Sequence, residues 1–256
     1  MHDEVLVLNK LCKNFGAVIA SKDVSMKIFE AQVHALIGPN GAGKSTLIKQ
    51  ITGEVKEDSG KIYLGSKNIT NLSTVQRIRQ GIARSFQISS IIGFMSVFEN
   101  MLIALKKKDN FKKIFFESFK SNKSENLLAK ELLERMALFE SKDLIASTLS
   151  HGDKRKLEIA MALAQKPKVF LLDEPFAGLD QAETNRLIEI FIELKHIAPI
   201  LLIEHDMEAV FSLADVISVM EGGKIIASGN SDEIKNDERV QTAYLGLNYN
   251  VSFRSK

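Results

Sequence analysis

Hydrophobic positions in this chain fall into two kinds of run: compact runs rich in branched residues, and longer stretches with leucines at helical spacing. EVLVLNKL and VSMKIF are of the first kind and predict two early strands. QVHALIG predicts a short apolar strand that ends at Gly38. TLIKQITG predicts a helix closed by Gly53 in a left-handed cap. GKIYLG is a further short strand, and STVQRIRQG a helix with a Ser/Thr start and a glycine stop. From about Ile88 to Gln165 the pattern is helical without clear strands, as in ENLLAKELLERMALF. Strand character returns in KVFLLDE, PILLIEH and VISVM, and EGGKIIASG carries a hairpin turn. SDEIKNDERVQTAYLG predicts one C-terminal helix, and LNYNVSFRSK a loose tail. The expectation is an α/β core over residues 4–87 and 166–246, interrupted by a helical insertion over 88–165 and followed by a tail over 247–256.

Composition narrows the class without naming a chemistry. The chain has 256 residues, 45% hydrophobic and 26% charged, which is globular and rich enough in apolar residues for a substantial core. A formal net charge of +2 gives no bias toward a polyanion, so a nucleic-acid partner is not expected. One cysteine, Cys12, allows no internal disulfide and suits a reducing compartment. The start MHDEVLVLNK lacks a signal-peptide core, and no apolar run is long enough to span a bilayer. Work at a membrane is therefore expected to run through a partner. The five histidines show no metal-ligand spacing, and no transition-metal site is expected.

The chemistry enters with GPNGAGKS, which follows a strand and opens a helix and fits G-x-x-x-x-G-K-[ST]. The loop Gly38, Pro39, Asn40, Gly41, Ala42 and Gly43 would wrap the phosphates, its glycines letting backbone N–H groups curl around the phosphate oxygens (Pro39 has none to give), and the helix N-terminus adds partial positive charge. Lys44 would reach the β- and γ-phosphates, and Ser45, followed by Thr46, would ligate Mg²⁺. KVFLLDEP ends an apolar strand in two carboxylates: Asp173, placed to hold Mg²⁺, and Glu174, placed to polarise an attacking water. PILLIEHD places His205 just past the end of another buried strand, a candidate γ-phosphate or water ligand, although a lone strand-end histidine is more often a surface or capping residue. Gln87, at the junction with the helical insertion, is a candidate to touch Mg²⁺ or water and report nucleotide state. The segment Lys106 to Lys123 mixes lysines with Phe111, Phe115, Phe116 and Phe119. It reads as a solvated loop and helix, or as a surface facing anionic lipid or a membrane-embedded partner.

GPNGAGKST, SFQ, LSHGD, FLLDEP, AGLD and IEHD occur in the order of an ABC transporter ATPase subunit, and the resemblance spans about residues 4–246. It implies a P-loop NTPase core of ABC ATPase type, with a RecA-like mixed sheet, an antiparallel β subdomain and an inserted helical subdomain. It implies that Gln87 is the Q-loop residue, Asp173 the end of Walker B and Glu174 the catalytic glutamate. Asp180 would lie in the D-loop, His205 would be the switch histidine, and Phe15 would stack on adenine. Ser150 and the Gly152 N–H would meet the nucleotide of a partner subunit, on a helix expected to begin near Asp153. His151 and Asp153 depart from the common Leu-Ser-Gly-Gly-Gln. Asp153 is expected to point away from the nucleotide, or to be offset by Lys154, Arg155 and Lys156.

Other phrases, such as LEIAMALAQKP and NDERVQTAYLG, resemble the longer ATPase of branched-chain amino acid importers. Urea and amide importers use close relatives, and a soluble ABC ATPase outside transport is a further alternative. The implied cofactors are ATP and Mg²⁺. The implied partners are a second ABC ATPase (or a second copy of this chain), transmembrane permeases and, indirectly, a periplasmic solute-binding protein. The implied location is peripheral, on the cytoplasmic face of the plasma membrane.

Overall fold

The computed structural model describes residues 3–84, 91–106 and 123–245. Gln87, nearly all of the lysine–phenylalanine segment and the tail lie outside the described residues. The chain divides into two units. The first comprises Met1–Arg84, Lys168–Ala177 and Phe191–Lys256, and the second Ser85–Pro167 and Gly178–Ile190.

The first unit contains two sheets. Strands β1 (Glu4–Phe15), β2 (Val18–Phe29), β4 (Ser59–Leu64) and β5 (Lys67–Asn68) form an antiparallel sheet in the order β2-β1-β4-β5. The other sheet runs β10-β9-β3-β8-β7-β6, from β3 (Val33–Ile37), β6 (Ile82–Arg84), β7 (Val169–Asp173), β8 (Ile200–Ile203), β9 (Val216–Glu221) and β10 (Lys224–Gly229). All its neighbours are parallel except the β9–β10 hairpin. The α/β class and mixed sheet expected from the sequence are therefore present.

Continuous apolar runs such as VHALI and VFLLD arise because this sheet is covered on both faces. Leu36, Leu171 and Leu201 join a core with Leu6, Ile28 and Ile62 of the antiparallel sheet and with Leu47 and Ile51 of α1 (Lys44–Thr52). Ala35 and Ile37, alternating with Leu36, join the opposite core with Val210, Ile217 and Ile234. Helix α1 ends at Gly53 with φ 79°, the left-handed cap expected there. Its final carbonyls are held by a side chain that sequence patterning does not reveal. Arg77 of α2 (Thr74–Gln80) is buried and donates to the carbonyls of Gln50, Ile51, Leu72 and Thr70.

In the second unit, α3 (Val97–Leu105), α4 (Lys123–Arg135) and α5 (His151–Leu163) bury Met101, Leu102, Leu132, Leu133, Leu157 and Ala160. Helix α6 (Gln181–Leu194) begins in this unit, and α7 (Met207–Leu213) belongs to the first. Two expectations are corrected. The single C-terminal helix is two, α8 (Ser231–Asn236) and α9 (Glu238–Leu245), because Asp237 adopts extended backbone (ψ 117°) and breaks the run. Helix α5 starts at His151 rather than near Asp153, because the Ser150 hydroxyl caps it by accepting from the Asp153 N–H.

His34 lies buried in β3, its Nε2 2.8 Å from Ser218 Oγ on β9, which is 2.9 Å from Ser228 Oγ on β10. Burial lowers its pKa from 6.5 to about 4, against a smaller opposing effect of the Lys27 backbone. Between those values the unfolded chain binds a proton that the folded chain refuses, so stability falls as pH falls from 6.5 to about 4. Unfolding free energies measured across this window are expected to drop by about 3 kcal/mol more in the native chain than in His34→Gln. Parallel acid limbs for the two proteins would contradict this.

Candidate functional site

The phosphate-loop sequence sits where β3 ends and α1 begins. Gly38 (φ 148°), Gly41 (φ 81°) and Gly43 (φ 108°) carry backbone angles that side chains resist. A methyl group at Gly38 would lie 2.0 Å from the Met220 carbonyl oxygen, and one at Gly43 2.0 Å from that of Ala20. The loop is tied down on both sides. The Ala42 N–H donates to Pro39 O at 3.2 Å, and Ala42 O accepts from the Gly223 N–H in the β9–β10 turn at 3.0 Å. Asn40 and Ser45 are exposed and Thr46 half-buried, so the loop's outer edge faces solvent while its root is fixed.

Lys44 is 6% exposed, and its Nζ donates to the carbonyls of Gly38 (2.6 Å) and Pro39 (3.0 Å). Burial pushes its pKa down, opposed by the negative charges of Glu174 and then Asp173. A cation donating to two loop carbonyls at the start of a helix is an arrangement that accepts an anion.

The two carboxylates follow from strand register. β7 and β8 are parallel with Asp173 opposite Ile203, so the residues that follow each strand emerge side by side. Glu174 has φ 49°, an unusual angle for a side-chain-bearing residue, and its N–H donates to Ile203 O at 2.9 Å. Its Oε1 lies 3.0 Å from His205 Nε2, with both side chains substantially solvent-exposed. Asp173 lies 3.4 Å from the Arg84 guanidinium, which also pairs with Glu54 at 2.6 Å. Arg84 carried no signal beyond its place two residues before Phe86, and the strand that delivers it, β6, is only three residues long. Ser45 and Asp173 offer oxygen donors only, a hard set suited to Mg²⁺ with phosphate and water completing the shell. Among the described residues, no cluster of three His, Cys, Asp or Glu side chains could hold a metal by itself.

Phe15 ends β1 beside the Gly16 turn and is 50% exposed, with Lys13 Nζ 5.4 Å from the ring centroid. The ring is thus outside the core and presents a face to solvent.

Ser150, Gly152 and Asp180 belong to the second unit. The Ser150 oxygen accepts the cap hydrogen bond, leaving its O–H available to donate outward. Gly152 is buried against Glu183: a methyl there would come within 2.7 Å of Glu183 Oε1. Glu183 was not anticipated. Its N–H donates to Asp180 Oδ1 at 2.8 Å, so the Asp180 carboxylate holds the start of α6. Asp153 turns back along its own helix to Lys156 at 2.9 Å, and Arg155 pairs with Glu158 at 3.1 Å. Two of the three basic residues after Asp153 are thus paired on the helix surface.

Comparison with known proteins identifies the family. The ABC transporter family model matches residues 21–177, and a branched-chain amino acid ATP-binding cassette transporter model matches residues 224–247. The high-affinity branched-chain amino acid transport ATP-binding protein LivG of Salmonella typhimurium is 39% identical over 255 residues, covering 96% of this chain and 99% of the relative. The corresponding Pseudomonas aeruginosa protein, BraF, is 36% identical over 253 residues with the same coverage. Among solved structures, an ATP-binding cassette of an ABC transporter in its ADP conformation superposes with a TM-score of 0.84 at 35% identity, covering 95% of this chain and 99% of that one. The chain belongs to the ABC transporter ATP-binding family. It is an ATPase that binds adenine nucleotide and couples ATP hydrolysis to transport.

The Asp153–Lys156 pair predicts a tolerant position. In the assembled ATPase, Asp153→Gln is expected to change ATP turnover by less than about threefold, since an i,i+3 pair along one helix is worth only about 0.2–0.5 kcal/mol. A many-fold rise in steady-state phosphate release would show that the carboxylate faces the nucleotide.

Proposed function

We propose that this chain is the ATP-hydrolysing subunit of an importer for branched-chain or other hydrophobic amino acids. It would work at the cytoplasmic face of the plasma membrane beside transmembrane permeases and a second ATPase, with a periplasmic solute-binding protein acting upstream. The observation that carries the chemical half of this reading is the meeting of Glu174 and His205 beyond the ends of β7 and β8, with Lys44 under the influence of Glu174 and Asp173. The solute is supported by the relatives named for branched-chain amino acid transport and by the match of the C-terminal segment.

In this reading the backbone of Gly38 to Gly43 and the start of α1, with Thr46, bind the phosphates, and Lys44 neutralises them. Ser45 and Asp173, with Gln87, hold Mg²⁺, which supplies charge neutralisation when bound. Phe15 stacks on the adenine. Glu174 draws a proton from the attacking water, and His205, hydrogen-bonded to it, fixes its direction and reaches the γ-phosphate. The Ser150 O–H and the Gly152 N–H close the site on the partner ATPase, and Asp180 sets the start of α6 near that junction.

Two measurements test the two halves. With the permeases and second ATPase reconstituted in proteoliposomes, Glu174→Gln is expected to lower turnover at this site at least ~100-fold while ATP binding persists. Retained hydrolysis there would remove Glu174 from the chemistry. ATP-dependent uptake of labelled leucine is expected in the same vesicles, and uptake of urea without leucine would overturn the solute assignment.

A further inference from the structure

We infer that Glu204 is a positioning residue that joins the Glu174 turn to the His205 turn through a single buried carboxylate. The inference rests on the proposed roles of Glu174 and His205 and adds the group that sets their spacing. Glu204 follows β8 at the end of the apolar run ILLI and is only 4% exposed. Its Oε1 accepts from the Phe176 N–H at 2.9 Å, on the far side of the Glu174 turn. Its Oε2 accepts from the His205 N–H at 2.8 Å and the Asp206 N–H at 3.4 Å.

One carboxylate therefore grips both loops, one oxygen to each. The neighbouring backbone completes the grip, since the Glu174 N–H donates to Ile203 O at 2.9 Å. Glu174 is thus flanked by two contacts to the end of β8, one through Ile203 and one through Glu204 by way of Phe176. Its φ of 49° is costly, and such an angle persists only where surrounding contacts over-determine it. The Glu174 Oε1–His205 Nε2 distance of 3.0 Å is then a consequence of how the two loops are fastened. Asp206 does not share this task, because its own carboxylate caps α7 by accepting from Glu208 and Ala209.

The chemistry makes the role specific to an acceptor on both sides. An ionised carboxylate presents two acceptor oxygens, whereas an amide presents one acceptor and one donor. Gln at 204 matches the shape of Glu but sets an N–H₂ group against a backbone N–H, releasing one loop or the other.

The test uses the reconstituted transporter and four versions of the chain: native, Glu174→Gln, Glu204→Gln and Glu204→Asp. Activity in the native chain and its loss in Glu174→Gln establish the underlying reading independently of Glu204. Glu204→Gln is then expected to lower kcat ~10- to 100-fold, with KM for ATP and the affinity for a fluorescent ATP analogue within about twofold of native. Glu204→Asp keeps two acceptor oxygens on a shorter stem and is expected to recover part of the loss. Native-like kcat in Glu204→Gln, with Glu174→Gln inactive, would overturn the inference while leaving the reading intact. So would a fall in kcat accompanied by equal losses of nucleotide binding and of thermal unfolding temperature, which would make Glu204 a general structural residue. An inactive native assembly would instead overturn the reading on which the inference stands.

Discussion

Lys44 is a largely buried residue, and a charge in that position is stabilised by oxygens around it and negative charge near it. Gly38 and Pro39 supply the oxygens by turning their carbonyls toward it, Gly38 at a φ of 148° that glycine tolerates. Asp173 and Glu174 supply the negative charge from a strand far away in sequence. The parallel sheet is what brings these together. β3, β8 and β7 run in the same direction and in adjacent register, so everything that follows their carboxyl ends gathers on one edge.

Once the strand ends are fixed, backbone hydrogen bonds set the finer geometry. The phosphate loop is tied to the β9–β10 turn by Gly223, and the Glu174 turn to the end of β8 by Ile203. Neither attachment uses a side chain that titrates. The backbone under the polar cluster thus holds its place by contacts that do not depend on the protonation of Lys44, Glu174 or His205. In the second unit the same economy appears at α5, where one Ser150 oxygen starts the helix and its hydrogen remains unspent.

Much of this was legible in the sequence because glycine spacing and strand-end carboxylates report directly on backbone geometry and burial. GPNGAGKS, FLLDEP and IEHD located the strand-to-helix turn and the loops that follow β7 and β8, and Gly53 announced the end of α1. Arg77, Arg84, Glu183 and Glu204 were not legible. Each acts on a partner distant in the chain or on a backbone group, and nothing in local periodicity distinguishes such a residue from a surface charge. Glu204 stands next to a residue that drew attention for its imidazole, yet its own carboxylate is the more buried of the two. The break at Asp237 was missed for a related reason: a polar residue between two short helical patterns looks like a surface position until its backbone angle is known.

The strand order also bears on how the protein comes into being. The ribosome makes the phosphate loop early and the carboxylates at the end of β7 about half a chain length later, with β8 later still. Parallel pairing of β3 with β8 closes a very long loop, which is slow and is rewarded only when both strands are present. A nascent chain that has emerged only through α1 carries the whole glycine-rich motif without the negative charges that balance its lysine. A product truncated before β8 would therefore keep the glycine-rich letters and lack the strand that sets the Glu174 turn beside His205.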